Sequence, residues 1–201
     1  MKSVESIILP TSYFPPIQYF LYLTKYSNIY IENSEHYKRH SIRNRAWILG
    51  ANGKILLTVP IVRKKYSKTF IKNIKIADQN WQKKHINSIQ SAYGSSPFFI
   101  HYFDEIKKII HKKHTFLIDL NADIMSYLIE ELEIKAQMKN TDQYIKKYPA
   151  INLDKREKIE LEYPMPKYYQ VFNKKFIKNM SIIDLIFNLG PNAKEYIYHH
   201  K

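Results

Sequence analysis

At 201 residues the chain is long enough for one domain with a proper core, and no apolar run approaches the roughly 18 residues needed to cross a bilayer. Cysteine is absent, which excludes disulfides, a thiol nucleophile, thiolate-held zinc and iron–sulfur clusters, and suits a reducing, cytoplasmic setting. The 32 Lys and Arg against 18 Asp and Glu leave a net charge of +14. Two readings of that charge stand: an acidic partner, or the Lys-, Ile-, Asn- and Tyr-rich composition that A/T-rich codons produce.

The apolar run at residues 7–9 ends at Pro10 and is too short for a secretory signal. Residues 6–9 read as a buried strand, 11–16 as a proline-stiffened loop, and 17–25 as a helix opened by Pro16 or Ile17. Strand, tight loop and helix in that order often bring a ligand to the strand's carboxyl end, where Tyr13 and Gln18 would be placed. A strand follows at 28–31. Residues 46–49 and 55–60 flank Asn52-Gly53 as a hairpin, since a tight turn needs the positive φ that Gly tolerates. Residues 59–62 would finish that strand at a buried edge. Residues 63–84 carry eight Lys or Arg against Asp78, with Ile71, Ile74 and Ile76 suggesting a further strand. Three helices come next. One covers 81–92, with Trp81 and His85 four apart on one face; a second starts at Ser96-Pro97; a third covers about 120–132. Then come a short strand at 135–138, an exposed charged stretch at 152–162, extended chain at 163–166, a helix at 182–189 stopped by Gly190-Pro191, and a last helix at 192–198. The expected fold class is α/β (mixed α+β): a small mixed sheet in the N-terminal half and a helical C-terminal half, in a single domain over residues 1–201.

Residues 32–48 hold the densest polar stretch, Glu-Asn-Ser-Glu-His-Tyr-Lys-Arg-His-Ser-Ile-Arg-Asn-Arg-Ala-Trp-Ile, between two strands. Loops carried by rigid strands are where sites are usually built. The candidate cluster is Tyr13, Gln18, Glu32, Glu35, His36, Tyr37, Lys38, Arg43, Asn44, Arg45, Trp81, His85 and Tyr93, with Tyr13, His36, Arg43, Arg45, Trp81 and His85 expected to line one cleft. His36 or His85 suits a general base near neutral pH, and Arg43 and Arg45, two apart, could clamp one phosphate or carboxylate. The competing reading pairs Arg43 and Arg45 with Glu32 and Glu35 as scaffold. His36 and His40 are four apart without H-E-x-x-H, and His111 and His114 sit among lysines, so no metal is expected. No phosphate-cradling glycine loop, G-x-S-x-G or nucleic-acid recognition signature occurs, and the sequence requires no cofactor.

The segments Leu-Pro-Thr-Ser-Tyr-Phe-Pro-Pro-Ile-Gln-Tyr-Phe (9–20), Glu-His-Tyr-Lys-Arg-His-Ser-Ile-Arg-Asn-Arg (35–45), Asn-Gly-x-x-x-Leu-Thr-Val-Pro-Ile (52–61), Trp-Gln-Lys-Lys-His (81–85), Ala-Tyr-Gly-Ser-Ser-Pro-Phe-Phe (92–99) and Leu-Ile-Phe-Asn-Leu-Gly-Pro-Asn-Ala (185–193) resemble the WbqC-like protein family. The resemblance implies a place in bacterial O-antigen or surface-polysaccharide biosynthesis, as a transferase, such as an N-acyl or aminoacyl transferase, acting on an amino sugar or nucleotide-linked sugar. Many members have two Asp where this chain has Glu32-Asn-Ser-Glu35. The alternative is a non-enzymatic binding module for a phosphorylated ligand or acidic partner. A nucleotide-linked sugar or other anionic small molecule is the expected partner, and nucleic acid is not.

Overall fold

The computed structural model describes residues 6–62, 69–78, 80–149, 152–172 and 175–199. The first strand, β1 (Ser6–Pro10), is buried along its whole length, as a strand covered on both faces should be. Chain from Pro10 crosses through α1 (Ile17–Lys25) and returns as β2 (Asn28–Glu32), parallel to β1. Pro16, at φ −68°, is already in the backbone region that leads into α1.

β3 (Arg45–Gly50) and β4 (Gly53–Thr58) form a separate antiparallel hairpin, and Gly53, at φ +109°, takes the turn position closed to other residues. The helices α2 (Trp81–Tyr93), α3 (Phe99–His111) and α4 (Leu117–Glu131) follow, and then two short strands complete the main sheet. β5 (Gln137–Asn140) pairs outside β2, and β6 (Asn152–Asp154) takes the free side of β1. All pairs are parallel and the order is β5-β2-β1-β6. The chain therefore leaves β1 towards one side and comes back on the other. The carboxyl ends of β1 and β6 flank a topological switch point, where open parallel sheets bind ligands. α5 (Ile182–Leu189) and α6 (Asn192–His199) close the chain. Gly190, at φ +55°, stops α5; a Cβ there would stand 2.3 Å from the Phe98 ring.

The mixed α/β class is as expected, with the second half supplying two sheet strands besides its helices. Several details differ. Ile71, Ile74 and Ile76 do not form a strand: residues Ile71–Asn73 make a 3-10 turn, and only isolated bridges, Ile61 to Ile76 and Lys75 to Phe116, follow. Ile71 and Ile74 are both buried because their spacing of three places them together on one side of such a turn. Val62 is half-exposed, so the edge after β4 is buried only through Val59. Ser96 does not cap α3; Phe98 holds that position, and the Ser96 hydroxyl has no partner among the described residues. The stretch at 152–162 is not simply exposed, since it contains β6 and the buried Arg156. Of the basic tract, residues 63–68 and 79 lie outside the described residues.

Candidate functional site

At the carboxyl edge of the parallel sheet, Glu32 ends β2 and Asp154 ends β6. Arg156 reaches back between them. Its Nη1 donates to Glu32 Oε2 (2.9 Å), its Nε to Asp154 Oδ1 (2.9 Å), and its Nη2 to Asp154 Oδ2 (2.6 Å) and to the Ile145 carbonyl (2.9 Å). The other Glu32 oxygen accepts from Thr141 Oγ1 (2.7 Å) and the Ser34 amide (2.8 Å). A second buried guanidinium, Arg43, donates through Nε to Glu35 Oε1 (2.6 Å), has Nη2 2.5 Å from the same oxygen, and donates from Nη2 to the Arg156 carbonyl (3.0 Å). The rings of Tyr144 and Tyr148 lie 5.0 and 4.8 Å from the Arg156 guanidinium carbon, close enough for cation–π attraction. The result is three carboxylates and two arginines, with Glu32, Glu35, Arg43 and Arg156 each at most 5% exposed.

Burying ions is unfavourable unless each is paired, and here each is. Burial pushes Glu35 above the usual carboxylate range, with Arg43 opposing it. Burial also pushes Asp154 upward, but its bonds to Arg156 together hold it below its ordinary value. Lys38 is lowered by burial and by the neighbouring Arg43 charge, and it pairs with the exposed Glu157. In the same loop, His36 is exposed and stacked on Phe70 with centroids 4.5 Å apart, Lys38 is half-buried, and the half-buried Arg45 begins β3.

The predicted residues are distributed over several settings. Tyr13, Trp81 and His85 meet as a buried ring cluster: Tyr13 Oη is 2.8 Å from His85 Nδ1, and the Trp81 centroid is 6.3 and 5.1 Å from the two other rings. His85 also bonds the Thr58 carbonyl, so Nε2 carries the proton and Nδ1 accepts from tyrosine, a tautomer assigned from these partners. Burial pushes His85 down to about 4 and Tyr13 well up, so both are neutral near pH 7. The cluster is tied to the central loop through the Tyr13 amide, which donates to the Ile42 carbonyl (2.9 Å). Tyr37 Oη donates to Asn44 Oδ1 (2.8 Å), and Asn44 Nδ2 to the Val59 carbonyl (2.8 Å), which fixes the root of the hairpin. Gln18 and Tyr93 stand elsewhere. Gln18 is fully buried in α1, with Oε1 accepting from the Tyr163 amide at 3.4 Å. Tyr93 accepts from the Leu49 amide (3.0 Å) and donates to Asp184 Oδ1 (3.0 Å).

Three charged residues with site-like settings, Asp154, Arg156 and Asp184, escaped the sequence reading. Asp184 is buried in α5; it accepts from Tyr93, from Tyr168 and from Gln170 Nε2 (2.8 Å), and burial raises its pKa. One acid inside Ile-Ile-Asp-Leu-Ile-Phe was the available signal. Arg156 was hidden among alternating charges.

A shallow depression of about 610 Å³ is lined by Lys167 through Phe172, Lys175 and Phe176, and by none of the predicted residues. Among the described residues no group of three or more His, Asp or Glu is placed to hold a metal ion, and no helix is long and apolar enough to cross a membrane. The uncharacterized protein Rv1507c of Mycobacterium tuberculosis is 25% identical over 228 residues, covering 98% of this chain and 98% of its own. The model of the WbqC-like protein family matches residues 11–156 and 148–196. With nearly the whole sequence matched, the chain belongs to the WbqC-like protein family.

Proposed function

We propose that the chain is a transferase acting on an amino sugar or nucleotide-linked sugar in bacterial O-antigen or surface-polysaccharide biosynthesis. The observation that carries this reading is the ion-paired network at the carboxyl edge of the parallel sheet, beside the switch point, with His36 and Lys38 in the same loop as its Glu35 and Arg43. Family membership supports the setting. In the reaction, an amine nitrogen on the sugar bonds to the carbonyl carbon of an acyl donor, and the bond from that carbon to the leaving group breaks. His36, exposed and without a hydrogen-bond partner among the described residues, takes the amine proton. Without cysteine, the acyl group passes from an activated donor such as a thioester directly to the amine.

A second reading, a non-enzymatic module for a phosphorylated ligand, is favoured by one observation: His85 has both ring nitrogens engaged. Binding and acyl transfer measured on a panel of nucleotide-linked amino sugars with acyl thioesters separates the two. His36→Asn that binds sugar but loses turnover supports the transferase. Wild-type protein that binds the sugars and turns over none supports the module.

A further inference from the structure

The register of the hairpin divides its side chains into two rows. Ala46, Ile48 and Leu57 face the core and are buried. Ile55, opposite Ile48, is 36% exposed at the turn end; the other row pairs Arg45 with Thr58, Trp47 with Leu56, and the buried Leu49 with Lys54, so on β3 it is open to solvent at Trp47 and in part at Arg45. Trp47 is 48% exposed and stacks on no other ring among the described residues, although its carbonyl is held by the Ser181 amide at 2.8 Å. Arg45 differs from Arg43 in one decisive way. Its Nε is buried with no hydrogen-bond partner, and no ion pair holds its guanidinium among the described residues. No acidic residue occurs in the row.

A partly desolvated, unpaired guanidinium keeps its planar fork of donors available for an anion. An exposed indole offers a face on which a flat heterocycle can stack. The two are one alternate step apart along β3, roughly 7 Å, a span that one nucleotide bridges. The Arg45 end is the one that joins the carboxyl edge: Asn44 bonds Tyr37, the neighbour of His36. We infer that the outer face of the β3–β4 hairpin is the nucleotide handle of the substrate site, with Trp47 stacking the base of a nucleoside diphosphate and Arg45 binding its phosphates. This inference rests on the sugar-nucleotide reading and names the part of that substrate the protein grips. Lys54, exposed at the far end of the row, is too solvated to organise the phosphates.

Titration of the full chain with a nucleoside diphosphate, followed by tryptophan fluorescence and calorimetry, tests it; Trp81 is buried, so quenching reports on Trp47. Quenching is expected for wild type. Trp47→Ala should lose the quench and bind at least tenfold more weakly, with Trp47→Phe recovering most of the affinity. Arg45→Gln should bind at least tenfold more weakly with an unchanged melting temperature, and Lys54→Gln within about twofold of wild type. Diphosphate binding that survives Trp47→Ala and Arg45→Gln overturns the inference, as does inorganic pyrophosphate binding as tightly as the nucleotide. Single-stranded oligonucleotide binding far more tightly than the mononucleotide also overturns it and makes the face a nucleic-acid surface. If sugar nucleotides still turn over in both variants, the transferase reading stands and this placement fails. If nucleoside diphosphates bind as described but no sugar nucleotide does, the placement stands and the transferase reading fails.

Discussion

Replacing Arg43 by Gln removes the partner of a carboxylate that water barely reaches. Arg43 is 1% and Glu35 3% exposed, and the guanidinium supplies the 2.6 Å bond to Glu35 and the 3.0 Å bond to the Arg156 carbonyl. Breaking a buried pair from one side costs on the order of 3–5 kcal/mol, because the remaining charge is left uncompensated. With a urea slope of about 2–3 kcal/mol per molar for a chain of this size, the midpoint should fall by roughly 1–2 M. The loss should also depend on pH. Burial already raises Glu35 and Arg43 opposes that rise, so without Arg43 the folded pKa climbs further. Between the unfolded and folded values the native state binds more protons, so stability falls as pH rises through that window. The deficit of Arg43→Gln should therefore be larger at pH 8 than at pH 5. A deficit under about 0.5 kcal/mol, equal at both pH values, is what an unburdened surface residue gives. That result would refute the scaffold role and return Arg43 to the ligand.

Three further outcomes are expected. His85 is held down to about 4, so below pH 6.5 the unfolded state takes up a proton that the folded state refuses; His85→Gln should flatten the loss of stability between pH 6.5 and 4 seen in wild-type denaturation curves. Asp184→Ala strips the acceptor from Tyr93, Tyr168 and Gln170 and should cost about 2–4 kcal/mol in chemical denaturation. Removing both rings that lie against Arg156, as Tyr144→Ala with Tyr148→Ala, should cost about 1–3 kcal/mol and speed proteolytic nicking near residues 144–148.

What could be read locally was read. The proline loop, α1, the Asn52-Gly53 hairpin and the Trp81–His85 face of α2 all follow from short-range chemistry, and each stands where its residues placed it. β6 is different in kind. Three residues among alternating charges have no strand signal of their own, and only pairing with β1 makes them one. Arg156 is equally illegible, since its partners Glu32 and Ile145 are brought to it by that same pairing. The isoleucines at 71, 74 and 76 carried two spacings at once, three and two, and burial of the first two chose the spacing of three. Arg43 and Arg45 look alike in sequence. The last two residues before the hairpin's ladder separate them, sending one into the ion network and the other to the outer row.

The strand order also has a consequence for synthesis. β1 leaves the ribosome long before its partner along residues 6–8, which is not made until residues 152–154. At about 5–20 residues per second, that edge waits on the order of ten seconds with its amides and carbonyls unmatched. It belongs to Ser-Ile-Ile-Leu-Pro, an apolar segment of the kind that recruits foreign strands when left open. A chain cut short before residue 152 would carry that edge permanently, and it should partition into aggregates where the full chain stays dispersed.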